Sequence, residues 1–180
     1  MMKLTLALFA AGLLALVVQG ALATMLPPPW CPDLGLLVVL SIGLRWRGLA
    51  LGLALAAALG FAADWLSGSL VGQHALLRLI AFTSAFLAGR QLNLKGSLPL
   101  VVFASSVSFV YGLAVYAVLG FFVGDGVPGF SWLLDGVWHA LVNGAVAPWV
   151  FAVVTRVALW AGGDGAPSRT LHIDTRRSTA

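Results

Sequence analysis

The residues that could carry chemistry in this chain lie in two polar segments between long apolar runs. Residues 64–75 read Asp-Trp-Leu-Ser-Gly-Ser-Leu-Val-Gly-Gln-His-Ala, and Asp135, His139 and Asn143 follow later at four-residue spacing. That spacing places the second set on one face of a helix. Polar groups at membrane depth are costly and tend to have a specific role, so both segments are candidate sites.

Three kinds of chemistry are open to these side chains. Two histidines, His74 and His139, and two aspartates could ligate zinc, although only Asp135 and His139 have a short ligand spacing. The two histidines could instead relay protons in a transporter. Hydrogen-bonded packing between helices needs no further partner. We favour packing, and expect no metal site and no cofactor.

Arg78 is the most costly residue to place, because it lies about two turns inside an apolar run. An unpaired charge at that depth costs at least about 2.5 kcal/mol. We expect a salt bridge within the bundle, with Asp64 or Asp135 as the partner at a suitable depth. The pair would either fix the helix register or hold an anionic ligand or a partner.

Catalytic motifs are missing from the sequence. The chain has no Glu, no Walker glycine loop, no G-x-S-x-G and no H-E-x-x-H. Cys31 is the only cysteine, so an intramolecular disulfide cannot form. We do not expect an enzyme.

Composition assigns the class of protein. The 180 residues are 61% hydrophobic and 9% charged, against about 25% charged in an ordinary soluble domain. Too few charges remain to cover a water-exposed surface, so lipid must solvate the outside. We predict an all-α membrane protein, with a helical bundle over residues 1–160 and a disordered, basic cytoplasmic tail over residues 161–180.

The apolar runs predict a compact bundle of about six transmembrane helices. They cover about 4–26, 32–44, 48–66, 70–89, 98–123 and 132–160. The second run would cover only about 20 Å of a hydrocarbon core of about 30 Å, so it is either a tilted helix or a re-entrant half-helix. Pro148 is expected to kink the last run.

The basic residues predict the orientation. If the N-terminus is cytoplasmic and there are six spans, nine of the ten Lys and Arg residues lie on the cytoplasmic side; they are Lys3, Arg45, Arg47, Arg90, Lys95, Arg156, Arg169, Arg176 and Arg177. We therefore expect both termini in the cytoplasm, contacts between the basic residues and anionic lipid, and no binding of nucleic acid. Alternatively, Lys3, the apolar run and Ala21-Leu22-Ala23 form a cleaved secretory signal.

Small residues follow one face of the third span. Gly48, Gly52, Ala56, Gly60 and Asp64 recur at four-residue spacing. In lipid, such a stripe lets two helix backbones approach closely. We expect this face, including the Asp64 carboxylate, to pack within the bundle or to meet a partner.

Four segments together resemble the rod shape-determining protein MreD family. They are Pro32-Asp33-Leu34, the turn Leu44-Arg45-Trp46-Arg47-Gly48, the pattern Asp64-x-x-Ser67-Gly68-x-x-x-Gly72-x-His74-Ala75, and Asn143-x-x-x-x-Pro148. Their order and spacing carry the resemblance across nearly the whole chain.

The resemblance implies a non-enzymatic, multi-pass scaffold subunit of the bacterial cell-elongation machinery, located in the bacterial inner membrane. Such a subunit associates with MreC, and through it with MreB, a RodA-type glycosyltransferase and a class B penicillin-binding transpeptidase. It also implies a bundle similar to the S-components of energy-coupling-factor transporters. The polar residues leave a second possibility open, namely a small-solute binding subunit or permease.

Overall fold

The computed structural model describes residues 2–45, 48–68, 70–91, 96–124 and 130–162. Within these ranges the helices are joined by short connections and there is no strand, as the composition predicts. The six helices are α1 (Met2–Ala23), α2 (Leu34–Arg45), α3 (Leu49–Ser67), α4 (Gln73–Gln91), α5 (Ser97–Val123) and α6 (Phe130–Trp160). The predicted tail from residue 163 onward lies outside the described residues.

Four of the six helices are long and apolar enough to cross a membrane: α1, α3, α5 and α6. Helix α4 has 19 residues, but its polar side chains lower its hydropathy. Helix α2 has only 12 residues, which corresponds to about 18 Å at 1.5 Å per residue. The described residues therefore confirm a helical bundle of membrane type, in which the second helix is shorter than a bilayer.

Helix α2 lies at the centre of the bundle. It contacts each of the other helices, and these form a closed ring in the order α1, α3, α4, α5, α6 and back to α1. Every residue from Gly35 to Gly43 is buried. A helix that is apolar on all sides suits this position, because it meets protein in every direction.

The core has two parts, one on each side of α2. Leu36, Leu37 and Leu40 pack with residues of α4, α5 and α6, including Phe151. On the other side, Val38, Val39 and Ile42 pack with residues of α1, α3, α4 and α6; these include Leu8, Leu59, Phe82 and Val154. Helix α2 thus joins the two parts into one bundle.

Small residues hold α4 close to α2. A Cβ atom at Gly43 would lie 2.7 Å from the Cβ of Ala85, and one at Gly89 would overlap the Leu44 carbonyl. The C-terminal ends of α2 and α4 therefore lie at the same level of the bundle.

The basic side chains mark this end of the bundle. Arg45 donates a hydrogen bond from Nη1 to the Thr155 hydroxyl of α6, and Arg90 lies 4.1 Å from the centre of the Phe86 ring. Lys3, at the start of α1, and Arg156 are also exposed. We call this the basic end, and the opposite end, which contains the α3–α4 turn and the start of α6, the outer end.

Helices α5 and α6 form a long antiparallel hairpin. Gly144 lies directly against Ser105, and Tyr116 contacts Trp132 nearer the outer end. No residue of 112–122 or 131–139 is fully buried, so this part of the hairpin packs on few neighbours. Helix α6 is continuous through Pro148, which lies inside it.

Candidate functional site

Asp33 is the N-cap of α2. Its Oδ1 accepts a hydrogen bond of 2.8 Å from the Leu36 N–H, and its carbonyl accepts one of 3.1 Å from the Leu37 N–H. A carboxylate at this position satisfies a free N–H of the first turn and interacts favourably with the helix dipole. The Pro32-Asp33-Leu34 segment therefore has a local structural reason to begin a helix.

Arg78 reaches Asp33 from the second turn of α4. Its Nη2 lies 3.4 Å from Asp33 Oδ1, and its Nη1 donates a hydrogen bond of 2.7 Å to the Leu59 carbonyl of α3. The arginine is only 1% exposed. One guanidinium group thus connects α4 with both α2 and α3.

The predicted partner of Arg78 was wrong. We expected Asp64 or Asp135, whereas the ion pair in the structure is with Asp33, and Asp135 is exposed. The sequence gives the depth of a residue in a span but not which neighbouring helix it faces. Because α2 occupies the centre of the bundle, Arg78 meets the carboxylate of Asp33, the N-cap of α2.

Gly35 makes room for this ion pair. A Cβ atom at this position would lie 2.6 Å from Arg78 Nη2 and 2.5 Å from Leu16 Cδ2. The Gly35 N–H donates a hydrogen bond of 3.1 Å to Gln19 Oε1 of α1. The start of α2 is therefore held by α1 as well as by α4.

Asn143 connects α6 to the same point. Its Oδ1 accepts a hydrogen bond of 2.8 Å from the Asp33 N–H, and its Nδ2 lies 3.2 Å from His139 Nε2. Asn143 is completely buried, whereas His139 is half-buried and Asp135 is exposed. The polar residues of α6 were expected to lie in the interior and to face the Asp64–His74 region, and this was wrong: they run from the exposed Asp135 to Asp33 at the start of α2. We call Asp33, Arg78, Asn143 and His139 the α2 anchor.

Asp64 forms a separate set of hydrogen bonds at the α3–α4 turn. Its Oδ2 accepts hydrogen bonds from the N–H groups of Gly72, at 2.8 Å, and Ala75, at 3.4 Å. Its Oδ1 accepts one of 2.8 Å from the His74 N–H. The carboxylate is 1% exposed, so it caps the first turn of α4 from within the bundle.

Two glycines give this turn its shape. Gly68 ends α3 with φ of 63°, and Gly72 has φ of 95°. A residue with a Cβ atom rarely adopts these values, and a glycine of this kind commonly follows the end of a helix. Both positions belong to the segment that carries the family resemblance.

The small-residue stripe of α3 faces α4. A Cβ atom at Gly52 would overlap the ring of Phe82, and one at Gly60 would lie 2.7 Å from the Ala75 nitrogen. Gly48 differs, because it is exposed and precedes the first turn of α3 in an extended conformation. The stripe thus serves packing inside the bundle from Gly52 to Asp64.

Helix α5 is attached through His74 and Gln73. The Nδ1 atom of His74 lies 2.6 Å from the Tyr111 hydroxyl, and Gln73 Nε2 donates a hydrogen bond of 3.3 Å to the Val115 carbonyl. His74 and His139 therefore engage different helices. Since the α2 anchor passes through an amide and a backbone N–H, it does not form a chain of titratable groups for proton transfer.

Several residues of this network were not among the sequence predictions. Gln19, Tyr111 and the Leu59 carbonyl each complete a contact between two helices. The glutamine and the tyrosine are polar residues within apolar runs, which is a usable signal. A backbone acceptor such as the Leu59 carbonyl leaves no signal in a sequence.

Cys31 lies in the connection between α1 and α2, outside the helices. Its Sγ is 3.8 Å from the Gln19 carbonyl oxygen. Burial raises the pKa of the Cys31 thiol, and the nearby Asp33 carboxylate raises it further. Because the thiolate is the reactive form, we expect this cysteine to react more slowly than a free thiol at neutral pH.

The described residues offer no cluster of three or more His, Cys, Asp or Glu side chains that could hold a metal ion. A few buried polar atoms have no hydrogen-bond partner within the protein; they are Arg78 Nε, Gln73 Oε1 and the hydroxyls of Ser41, Ser105 and Ser108. Most polar groups of the two predicted segments are engaged in contacts between helices. The arrangement is suited to fixing the helix positions.

The chain matches no family model, no curated protein and no solved structure. The fold alone therefore assigns the class, which is an all-α bundle of membrane type with a short central helix.

Proposed function

We propose that this chain is an MreD-like scaffold subunit of the bacterial cell-elongation machinery. It has no enzymatic activity of its own and positions peptidoglycan synthesis by binding MreC in the inner membrane. Through MreC it joins MreB, a RodA-type glycosyltransferase and a class B penicillin-binding transpeptidase. We also propose that its helices are arranged as in the S-components of energy-coupling-factor transporters.

One observation carries the proposal: three of the resemblance segments supply side chains that join one helix to another. Asp33 caps α2 and pairs with Arg78. Asp64 caps α4 across the α3–α4 turn. Asn143 holds the Asp33 N–H from α6. A family signature made of packing residues suits a protein whose function is to present a rigid surface to partners.

The charge distribution supports one orientation of the bundle in the membrane. Lys3, Arg45, Arg90 and Arg156 belong to the basic end of the bundle, whereas Asp33, Asp64 and Asp135 lie towards the outer end. Basic residues concentrate on the cytoplasmic side of membrane proteins. We therefore place the basic end, with both termini, in the cytoplasm.

Depletion in a rod-shaped bacterium that carries this chain tests the cellular role. We expect rounding and lysis, with recovery of the rod shape when the wild-type chain is supplied. A chain with Asp64→Ala is the informative comparison, because it removes the hydrogen bonds of the Asp64 carboxylate to the start of α4 and leaves the lipid-facing surface unchanged. Unaltered cell shape after complete depletion would contradict the proposal.

Co-purification tests the partner. A tagged chain in mild detergent should retain MreC, while a tagged polytopic protein of unrelated function, prepared in the same way, should not. Loss of the complex with Asp64→Ala, but not with Thr83→Ala on the exposed side of α4, would link binding to an intact bundle. Absence of MreC from every preparation would count against the scaffold.

A small-solute binding subunit is the second candidate. Arg78 Nε and Gln73 Oε1 are buried without a partner in the protein, and unpaired buried polar atoms are costly unless something binds them. Thermal-shift measurements with a panel of vitamins would support this function if one compound raised the melting temperature. The rise should be lost in Gln73→Leu.

A further inference from the structure

We propose that the outer end of the α5–α6 hairpin stands above the lipid and binds a partner protein there. The surface consists of residues 116–122 of α5 and 131–135 of α6, which we call the outer arm. Its partner is a protein segment just outside the membrane that carries apolar side chains together with Lys or Arg. The binding of a partner rests on the proposed scaffold function, whereas the height of the arm above the lipid does not.

Contacts between α4 and α5 fix the height of the outer arm. The Nδ1 atom of His74 lies 2.6 Å from the Tyr111 hydroxyl, and Gln73 donates a hydrogen bond to the Val115 carbonyl. Helix α4 therefore begins at the level of Val115. Helix α5 continues outward to Val123, which adds about 12 Å at 1.5 Å per residue.

Helix α6 accompanies α5 over part of this distance. Gly144 lies against Ser105, and Tyr116 contacts Trp132 further out, so the two helices keep one antiparallel register along the hairpin. Helix α6 begins at Phe130, beyond Trp132. Both helices therefore contribute to the outer arm.

The lengths of α3 and α4 place the outer surface of the hydrocarbon near the α3–α4 turn. Each of these helices has 19 residues, or about 28 Å, which matches a hydrocarbon core of about 30 Å that starts at the basic end. The headgroup layer adds about 5–7 Å on each side. Phe121 and Phe122 lie about 9–10 Å beyond Val115, and therefore outside that layer.

The outer arm is apolar and open to its surroundings. Phe121 and Phe122 are 82% and 69% exposed, and no residue of 116–122 or 131–135 is fully buried. Trp65 is equally exposed, at 80%, but it lies in the last turn of α3, where lipid can cover it. The two phenylalanines of the arm need another cover, because an apolar patch in water marks an interaction site.

The charge of the hairpin indicates which kind of partner covers the arm. Residues 96–155 contain Asp125 and Asp135 but neither Lys nor Arg, and Asp135 is exposed at the base of the arm. A second copy of this chain would bring like charges together, and anionic lipid would be repelled in the same way. A partner segment with Lys or Arg beside apolar residues is complementary to both features of the arm.

Retention of MreC by tagged variants of the full chain tests the binding surface. The double variant Phe121→Ser/Phe122→Ser removes exposed apolar side chains and no buried contact, so the bundle should fold as before. We expect it to bind MreC about tenfold more weakly than the wild type does. The matched control is Trp65→Ser, an exposed aromatic residue on another side of the outer end, which should retain MreC fully.

Asp135 tests the charge of the partner. Asp135→Lys should weaken the binding of MreC, because the partner's Lys or Arg then meets a like charge. Asp135→Glu keeps the carboxylate and should bind as the wild type does. Unchanged binding in Asp135→Lys would overturn the basic character of the partner segment.

The outcomes separate the two proposals. If the wild type and the double phenylalanine variant retain equal amounts of MreC, the outer arm is not the binding surface, and the scaffold function stands. An equal loss in Trp65→Ser would also overturn the surface, since the effect would then not be specific to the arm. Absence of MreC from the wild type would overturn both proposals.

The height of the arm can be measured without a partner. In a Cys31→Ala chain in lipid nanodiscs, a spin label attached at Phe122→Cys should be more accessible to a water-soluble nickel complex than to oxygen. A label at Val110→Cys, which is exposed on α5 below the level of Val115, should show the opposite preference. A preference for oxygen at both positions would show that lipid covers the arm, and would overturn the proposal.

Discussion

Asp33 and Arg78 form an ion pair of 3.4 Å between the start of the central helix and the second turn of α4. The arginine is buried, and the carboxylate also caps α2. The Asp33 side chain therefore both neutralises Arg78 and caps α2. A substitution can separate these two roles, because asparagine is also a good N-cap but carries no charge.

We predict that Asp33→Asn destabilises the bundle by about 3 kcal/mol, because it leaves the Arg78 charge uncompensated. Arg78→Met should be destabilising for the converse reason, since Asp33 is then the unpaired charge. The double variant should lose less than the sum, with a coupling of about 1–3 kcal/mol. Unfolding free energies in mixed detergent micelles provide the measurement, and additive losses would show that the pair contributes nothing as a pair.

Asp64 should respond differently to the same substitution. Both of its oxygens accept backbone N–H groups at the start of α4, so the amide nitrogen of asparagine would oppose a donor. We predict losses of about 2–3 kcal/mol for both Asp64→Asn and Asp64→Ala. Thr83→Ala, on the exposed side of α4, should change stability by no more than about 0.5 kcal/mol. An Asp64→Asn variant as stable as the wild type would show that one oxygen is sufficient.

The six helices could be predicted from the sequence because their signals are local. Apolar runs interrupted by Gly, Pro and charged residues give helix positions to within a few residues, and the end of α6 at Trp160 agrees with the predicted end of the last span. The central position of α2 could not be predicted. In a membrane protein, lipid and protein neighbours favour the same apolar side chains, so an apolar helix does not reveal which of them it meets.

The residues of the candidate site could be predicted from the sequence, but their contact partners could not. Asp64, Arg78 and Asn143 were selected as polar residues within or beside apolar runs, and Asp33 was selected through the family resemblance. Each makes a contact between helices or across a turn. Their partners depend on the rotation and order of the helices around α2. Those are properties of the whole bundle, which no short segment encodes.

Gly60 tests whether the stripe of α3 sets the distance to α4. A Cβ atom there would lie 2.7 Å from the Ala75 nitrogen and 2.8 Å from the His74 oxygen, both of which belong to the backbone. We predict that Gly60→Ala costs about 1–3 kcal/mol, because the two helices must separate.

Gly112 is the matched control for Gly60. It lies within α5, and an added Cβ atom there would have no neighbour within 4 Å. Gly112→Ala should therefore be neutral or stabilising by up to about 1 kcal/mol, as helix propensity predicts. The same unfolding measurement compares the two variants, and equal effects would contradict a specific role for close packing at Gly60.

Cys31 provides a test of both orientation and local environment. If the outer end faces away from the cytoplasm, a membrane-impermeant maleimide should label this cysteine in intact spheroplasts. Ser97, exposed at the basic end, provides the control: a Cys31→Ala/Ser97→Cys chain should be labelled only after permeabilisation. Labelling of that control chain in intact spheroplasts, with none at Cys31, would show that the bundle has the opposite orientation.

The rate of that labelling should depend on pH in a defined direction. Burial and the Asp33 carboxylate raise the pKa of the Cys31 thiol, so little thiolate is present at pH 7 and the reaction should be slower than with a free thiol. The rate should increase about tenfold per pH unit from pH 7 to pH 9, because only the thiolate reacts. In Asp33→Asn the carboxylate's contribution is removed, so labelling at pH 7 should be faster than in the wild type. An unchanged rate in this variant would show that burial alone controls the thiol.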